Sequence, residues 1–160
     1  MALAKPLQEP AVRPFRCLTH VIVPTILGGI IYLLFRQDSL LMFRWVDALG
    51  AGPILDVMRS HLKTVDTSDF QWFFYSLPDA LWVYSFTTYM VFIWGMRLSM
   101  QSGLWLALPL CMAAGSEIGQ GLGVVAGTYD AMDLALCFVG AALPLVLLIR
   151  RRRVHLRTMT

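Results

Sequence analysis

Charge is what this sequence has little of. Only 14% of its 160 residues are Asp, Glu, Lys or Arg, whereas an average globular domain has about a quarter. Hydrophobic residues make up 58%, and the 3 cysteines are too few to build a disulfide scaffold. This composition excludes disordered, collagen-like and nucleic-acid-arm proteins, and it predicts a chain that lies in a bilayer.

The sequence also lacks the short motifs that identify common catalytic sites. It has no Gly-x-Ser-x-Gly, no His-Glu-x-x-His and no Walker loop. The cysteines show no C-x-x-C spacing, so metal–thiolate chemistry is not expected. No recognised class of enzyme is therefore indicated.

Four apolar stretches approach the roughly 20 residues that a helix needs to cross a bilayer. They cover residues 17–35, 79–96, 103–125 and 131–149. The links after the second and third stretches are short, which makes sequential helices antiparallel neighbours. We expect one all-α membrane domain over residues 1–160, built as a four-transmembrane-helix antiparallel bundle.

Two prolines mark expected helix starts. Pro78 is expected at the first helical position of the second span, with Asp79 in its first turn. In the link 36–76, Pro53 follows a Gly-Ala-Gly break and can open a short helix with Asp56 and Arg59 as neighbours. This segment predicts a short interfacial helix lying on the outer membrane surface.

Basic residues set the expected orientation, because Lys and Arg are retained on the cytoplasmic side. With four spans, one side receives Lys5, Arg13, Arg16, Arg97 and the run from Arg150 to Arg153. Both termini are therefore predicted to be cytoplasmic, with 36–76 extracytoplasmic and 150–160 a basic tail. These flanks suit membrane lipids as partners, and no nucleic acid is expected.

Glu117 is the sharpest functional signal, because an ionisable residue within a span is costly and rarely faces lipid. Gln120 shares its helix face. The short link after the third span folds further acidic residues back to the same level. The predicted outward-facing polar pocket comprises Asp79, Glu117, Gln120, Asp130 and Asp133.

Several roles suit this pocket. Asp130 and Asp133 can simply be the N-cap and N3 residues of the fourth span. Glu117 can be protonated and hydrogen-bonded to a neighbouring helix, or exchange protons with a substrate. No metal or other cofactor is expected, although oxygen ligands at this density could hold a divalent cation.

A glycine stripe follows the opposite face of the third span. Gly115, Gly119 and Gly123 recur at every fourth position, a spacing that lets another helix backbone approach closely. We expect this stripe to pack against a helix.

The chain resembles the VanZ-like family of small bacterial membrane proteins. The resemblance rests on Glu117-Ile-Gly-Gln120, Gly127-Thr-Tyr-Asp130-Ala-Met-Asp133 and Gly140, with the entrance Ser76-Leu-Pro-Asp-Ala-Leu-Trp82. The chain departs from the family pattern after Asp79, where Lys and His are common, and at Cys137, where Asn is common. The resemblance implies a bacterial plasma membrane and a role in the cell envelope, without supplying a reaction.

Three functions are compatible with these features. The first is a non-enzymatic accessory factor in envelope assembly or antibiotic tolerance, which would contact a lipid-linked ligand or a membrane protein partner through the polar pocket. The second is an enzyme that acts on a lipid carrier or an exopolysaccharide through carboxylates. The third is a small subunit of a transporter or assembly complex, suggested by the glycine stripe.

Overall fold

A computed structural model describes residues 17–36, 41–62, 70–94, 99–125 and 127–157. The chain is all-helical, and these ranges contain no strand. The described ranges contain six helices: α1 (Leu18–Phe35), α2 (Leu41–Ala48), α3 (Gly52–Leu62), α4 (Gln71–Trp94), α5 (Met100–Gly121) and α6 (Ala131–Arg157). The first turn of α1, Leu18–Ile22, is a π-helical turn.

Helix α4 lies at the centre of the assembly and packs against α1, α5 and α6. Aromatic contacts join α4 to α1: the Trp82 indole N–H donates to the Thr25 carbonyl at 3.2 Å, and Phe35 stacks on Phe74 at 4.1 Å. Residues late in α1 thus meet residues early in α4, which makes these two helices antiparallel. Helix α1 packs mainly on α4, so the arrangement differs from a symmetric bundle in which every helix has two neighbours.

One glycine allows α6 to approach α4 closely. A Cβ on Gly140 would lie 2.5 Å from the carbonyl oxygen of Ala80 and 3.4 Å from the backbone nitrogen of Tyr84. Any side chain here would collide with backbone, so the glycine permits the contact. Next to it, Val83, Cys137 and Ala141 form a small buried core.

Several predicted boundaries differ from those of the structure. Helix α4 begins at Gln71, so Pro78 lies inside it and Asp79 is not in its first turn. The aromatic segment before Pro78 continues the helix, because tertiary packing such as the Phe35–Phe74 stack outweighs the proline penalty. Helix α6 continues past the predicted end at residue 149 to Arg157, since arginine is a good helix former and no glycine or proline intervenes.

The link after α1 contains two helices where the sequence indicated one. Helices α2 and α3 are separated at Gly50, which adopts a positive φ of 73°. Arg59 crosses to α1, where its guanidinium donates to the carbonyls of Leu33 and Arg36, each at 2.9 Å. These carbonyls belong to the last turn of α1, where no amide of the helix itself is left to bond them. Helix α3 therefore caps α1.

Helix length and apolar composition together support fewer crossings than the four predicted. Within the described ranges, α1 is long and apolar enough to cross a membrane, and Ala131–Val146 is a shorter apolar stretch. Helices α4 and α5 do not meet the same criterion. The basic residues Lys5, Arg13, Arg16 and Arg97, on which the predicted orientation depends, lie outside the described residues, as do 95–96 of the second predicted span and 158–160 of the tail.

Candidate functional site

A cavity of about 920 Å³ opens between α1, α4, α5 and α6. All five residues predicted for the polar pocket line it: Asp79, Glu117, Gln120, Asp130 and Asp133. Glu117 and Asp133 are the most deeply buried, with 6% and 7% of their surface exposed. Burial of two carboxylates at one site is costly unless they find partners.

Arg36 supplies the positive charge of this site. Its Nη2 lies 3.1 Å from Oδ2 of Asp79 and 3.9 Å from Oδ2 of Asp133, and it also donates to the Tyr75 carbonyl at 2.9 Å. The guanidinium carbon lies 5.4 Å from the centre of the Tyr75 ring, within the range of a cation–π contact. One cation thus serves two acidic side chains from different helices.

The position of Arg36 follows from how α1 ends. Arg36 is the C-cap residue of α1 and has extended backbone angles. The Arg59 guanidinium holds its carbonyl oxygen. Pro78 has no N–H, so the Phe74 carbonyl in α4 has no intrahelical donor. Arg36 donates to the carbonyl of the next residue, Tyr75. The end of α1 and the proline turn of α4 therefore meet at the cavity.

Glu117 reaches the start of α6. Its Oε2 accepts a hydrogen bond from the backbone amide of Asp130 at 3.1 Å. The Asp130 side chain in turn accepts from the amide of Met132 at 2.8 Å. The N-cap prediction for Asp130 is thereby confirmed, and Asp133 occupies the third position of α6. Glu117 joins α5 to α6 through backbone, which holds both acidic residues of α6 at the cavity.

Gln120 lies at the loop side of the same cavity. Its Nε2 is 3.5 Å from the Ser116 hydroxyl, one turn earlier on α5. Gly127, at a φ of 139°, leaves room for it, since a Cβ there would lie 2.7 Å from the Gln120 side chain. The amide therefore packs against the loop between α5 and α6.

No described helix of this chain packs against the predicted glycine stripe. Nothing lies within 4 Å of a Cβ built on Gly115, and Gly119 faces Val125 of the following loop. Gly123 lies beyond the end of α5 with a φ of 71°, and the amide of Val124 bonds the Gly119 carbonyl at 2.8 Å. This is the geometry of a glycine-terminated helix, so Gly123 ends α5 and packs no helix.

Sequence reasoning missed part of the site. Arg36 was assigned to the link, yet its position directly after a span, at the same predicted level as Asp79, was an available signal. Aromatic residues also line the cavity, namely Tyr32, Tyr75, Trp82 and Phe86. Another wall of the cavity is apolar and includes Pro109 and Met112 of α5. The cavity therefore has a charged end and an apolar side, and it is not purely acidic.

No group of three His, Cys, Asp or Glu side chains within the described part of the chain has the arrangement of a metal site. Comparisons with protein-family models, with curated proteins and with solved structures give no match to this chain.

Proposed function

We propose that this chain is a multi-pass protein of the bacterial plasma membrane, of the VanZ-like group. It acts as a non-enzymatic accessory factor in envelope assembly or antibiotic tolerance by holding the polar end of a lipid-linked ligand. The observation that carries the proposal is a charged cavity, with Arg36 between Asp79 and Asp133, inside an assembly with an apolar exterior.

The distribution of polar residues supports a lipid environment. The fully covered side chains of α4 include Ser76, Ser85 and Thr87, whereas large apolar side chains such as Ile26 and Ile30 of α1 are exposed. In water the opposite arrangement is expected, because apolar burial drives folding. Small hydroxyl residues between helices and apolar residues outside are typical of membrane helix packing.

Helix lengths support four crossings. Helices α4, α5 and α6 have 24, 22 and 27 residues, and a helix gains about 1.5 Å per residue. Each is therefore longer than the roughly 30 Å of a hydrocarbon core. Several of their polar residues are covered inside the protein, such as Ser85, Thr87 and Glu117, so the composition of each helix alone understates its fit to a bilayer.

The cavity favours binding over nucleophilic catalysis. Its described lining contains no histidine or lysine, and its cysteine, Cys137, is 2% exposed. A hydroxyl or thiol nucleophile needs an adjacent base within hydrogen-bond reach, and the described hydrogen bonds of the lining residues contain no such pair. Fixed charges at one end and apolar walls at the side instead fit a ligand with a polar head and an alkyl chain.

A complementation experiment tests this function. In a bacterial strain that lacks the gene, we expect the wild-type chain to restore normal susceptibility to envelope-directed antibiotics. Glu117→Ala and Asp133→Ala should fail to do so while reaching the membrane in normal amounts. Asp56→Ala, which removes an exposed carboxylate of α3, is the matched control. Full complementation by both pocket variants would overturn the proposal.

A further inference from the structure

Two buried atoms of opposite hydrogen-bonding character belong to the charged end of the cavity. Nε of Arg36 is a donor and Oδ1 of Asp133 is an acceptor, and neither has a hydrogen-bond partner among the described residues. Both side chains line the cavity. Buried polar groups are nearly always paired in folded proteins, so a ligand group that pairs with both atoms is the natural occupant.

The chemistry of the two atoms restricts that group. A hydroxyl both donates and accepts, so a small side-chain rotation would let it donate to Asp133 and accept from Arg36. A quaternary ammonium has neither a donor nor an acceptor for them. A phosphate diester at neutral pH only accepts, and it would leave the carboxylate unpaired.

The charge balance of the cavity also disfavours an anionic ligand. Asp79, Glu117, Asp130 and Asp133 contribute four carboxylates against the single guanidinium of Arg36. Asp79 takes the closer contact with that guanidinium, at 3.1 Å. Charges of like sign repel strongly where water is largely excluded, so an added phosphate would face uncompensated negative charge.

The remaining walls fit a sugar ring and an alkyl chain. Tyr32, Tyr75 and Trp82 line the cavity beside the charged end. The Arg36 guanidinium lies over one face of the Tyr32 and Tyr75 rings, 5.6 and 5.4 Å from their centres, so the C–H face of a pyranose would pack on the aromatic surface that Arg36 does not cover. Phe86 and Met112 are also lining residues, and each is exposed on its helix surface. An alkyl chain can therefore leave the cavity along them into the surrounding lipid.

From these contacts we propose that the ligand is a neutral glycolipid, which rests on the function proposed above. Its glycosyl hydroxyls bind between Arg36 and Asp133, its ring packs on Tyr32, Tyr75 and Trp82, and its alkyl chain leaves along the apolar wall. The site discriminates against anionic phosphate headgroups by charge and against quaternary ammonium headgroups by their lack of hydroxyls.

Photolabelling of the full chain in phosphatidylcholine nanodiscs tests the proposal. Three octyl amphiphiles share a diazirine in the alkyl chain and differ only in the head: β-D-glucosyl, phosphate or trimethylammonium. We expect saturable labelling of peptides that carry Phe86 or Met112 by the glucoside, at concentrations at least tenfold lower than by the other two. Asp133→Ala should weaken glucoside labelling about tenfold, as expected for one lost hydrogen bond to a charged group, and Asp56→Ala should not.

The outcomes separate the two proposals. If the phosphate or ammonium probe labels these peptides as well as the glucoside, the glycolipid assignment is wrong while the amphiphile pocket stands. If no probe gives saturable labelling there, the proposed function fails as well. Asp133→Asn preserves side-chain shape and removes one of the four carboxylates, so the phosphate probe should label it at a lower concentration than it labels the wild type; an unchanged concentration dependence in a folded Asp133→Asn protein would contradict the charge argument.

Discussion

Oε2 of Glu117 lies 3.1 Å from the backbone nitrogen of Asp130, 13 residues later in the chain. An acidic side chain of α5 thereby fixes the first residue before α6, whose own carboxylate caps that helix. Glu117 is 94% buried, so its acceptor oxygen is shielded from water. A hydrogen bond to a charged group is strongest where water is excluded. The start of α6 is held by α5 and not by its own sequence alone.

Removing the Glu117 carboxylate should destabilise the protein. Glu117→Ala leaves the Asp130 amide without its acceptor, and we expect a loss of about 2 kcal/mol in the free energy of unfolding. Glu117→Gln keeps an acceptor oxygen and should cost less than half as much. Steric trapping in bicelles measures both values, with Gln101→Ala at an exposed position of α5 as control. Equal losses for the alanine and glutamine variants would show that the hydrogen bond contributes nothing.

The contact between α4 and α6 makes Gly140 intolerant of any side chain. Gly140→Ala should destabilise the protein by roughly 2 kcal/mol or more, because the new Cβ meets the Ala80 backbone. Gly103→Ala and Gly115→Ala have open space around the Cβ, so helix propensity should stabilise them by up to about 1 kcal/mol. Unfolding free energies of the three variants provide the comparison. A large loss of unfolding free energy in Gly115→Ala would show that the predicted glycine stripe packs against a helix.

Arg59 is expected to hold the end of α1 in place. Arg59→Ala removes two donors from the carbonyls of Leu33 and Arg36, and should lower the unfolding free energy by about 2 kcal/mol. It should also increase hydrogen exchange of the amides in the last turn of α1. Arg44→Ala, at an exposed site of α2, is the control with the same loss of charge. Unchanged exchange in Arg59→Ala would show that α3 does not cap α1.

The proposed topology predicts an alternating pattern of cysteine labelling. In a background in which Cys17, Cys111 and Cys137 are replaced, a cysteine at Asp56 or Tyr129 should react with an impermeant maleimide in intact cells. A cysteine at Gln101 should react only after the membrane is permeabilised. Labelling of Gln101 in intact cells would contradict four crossings with cytoplasmic termini.

The sequence predicted best what depends on local chemistry. Periodicity and apolar runs indicated an all-helical chain, and an aspartate before an apolar stretch indicated the cap of α6. The residues predicted for a polar pocket do line one cavity, because adjacent antiparallel helices bring their ends together. These inferences needed only helix geometry and short links.

Features that depend on contacts between residues distant in the sequence could not be predicted from local patterns. Pro78 of α4 is typical of a helix start, and the sequence therefore predicted one there. Packing of the residues before it instead extends the helix to Gln71. Glycine spacing on α5 suggested a packing face, whereas the close approach occurs at Gly140 on α6. Arg36 reaches Asp79 across 43 positions. Its place directly after a span indicates the membrane level that it shares with Asp79, but not which acidic residue it pairs with.

The pairing of Arg36 with Asp79 is the contact on which the pocket, the ligand site and the proposed function all depend. A double-mutant cycle in bicelles with Arg36→Ala, Asp79→Ala and the double variant measures it directly. Because both side chains are only partly buried, we predict a coupling free energy of about 1 kcal/mol, at the upper end of the range for exposed pairs. Two single effects that add to the double effect within about 0.3 kcal/mol would show that the two residues do not interact, and would contradict the account of this site.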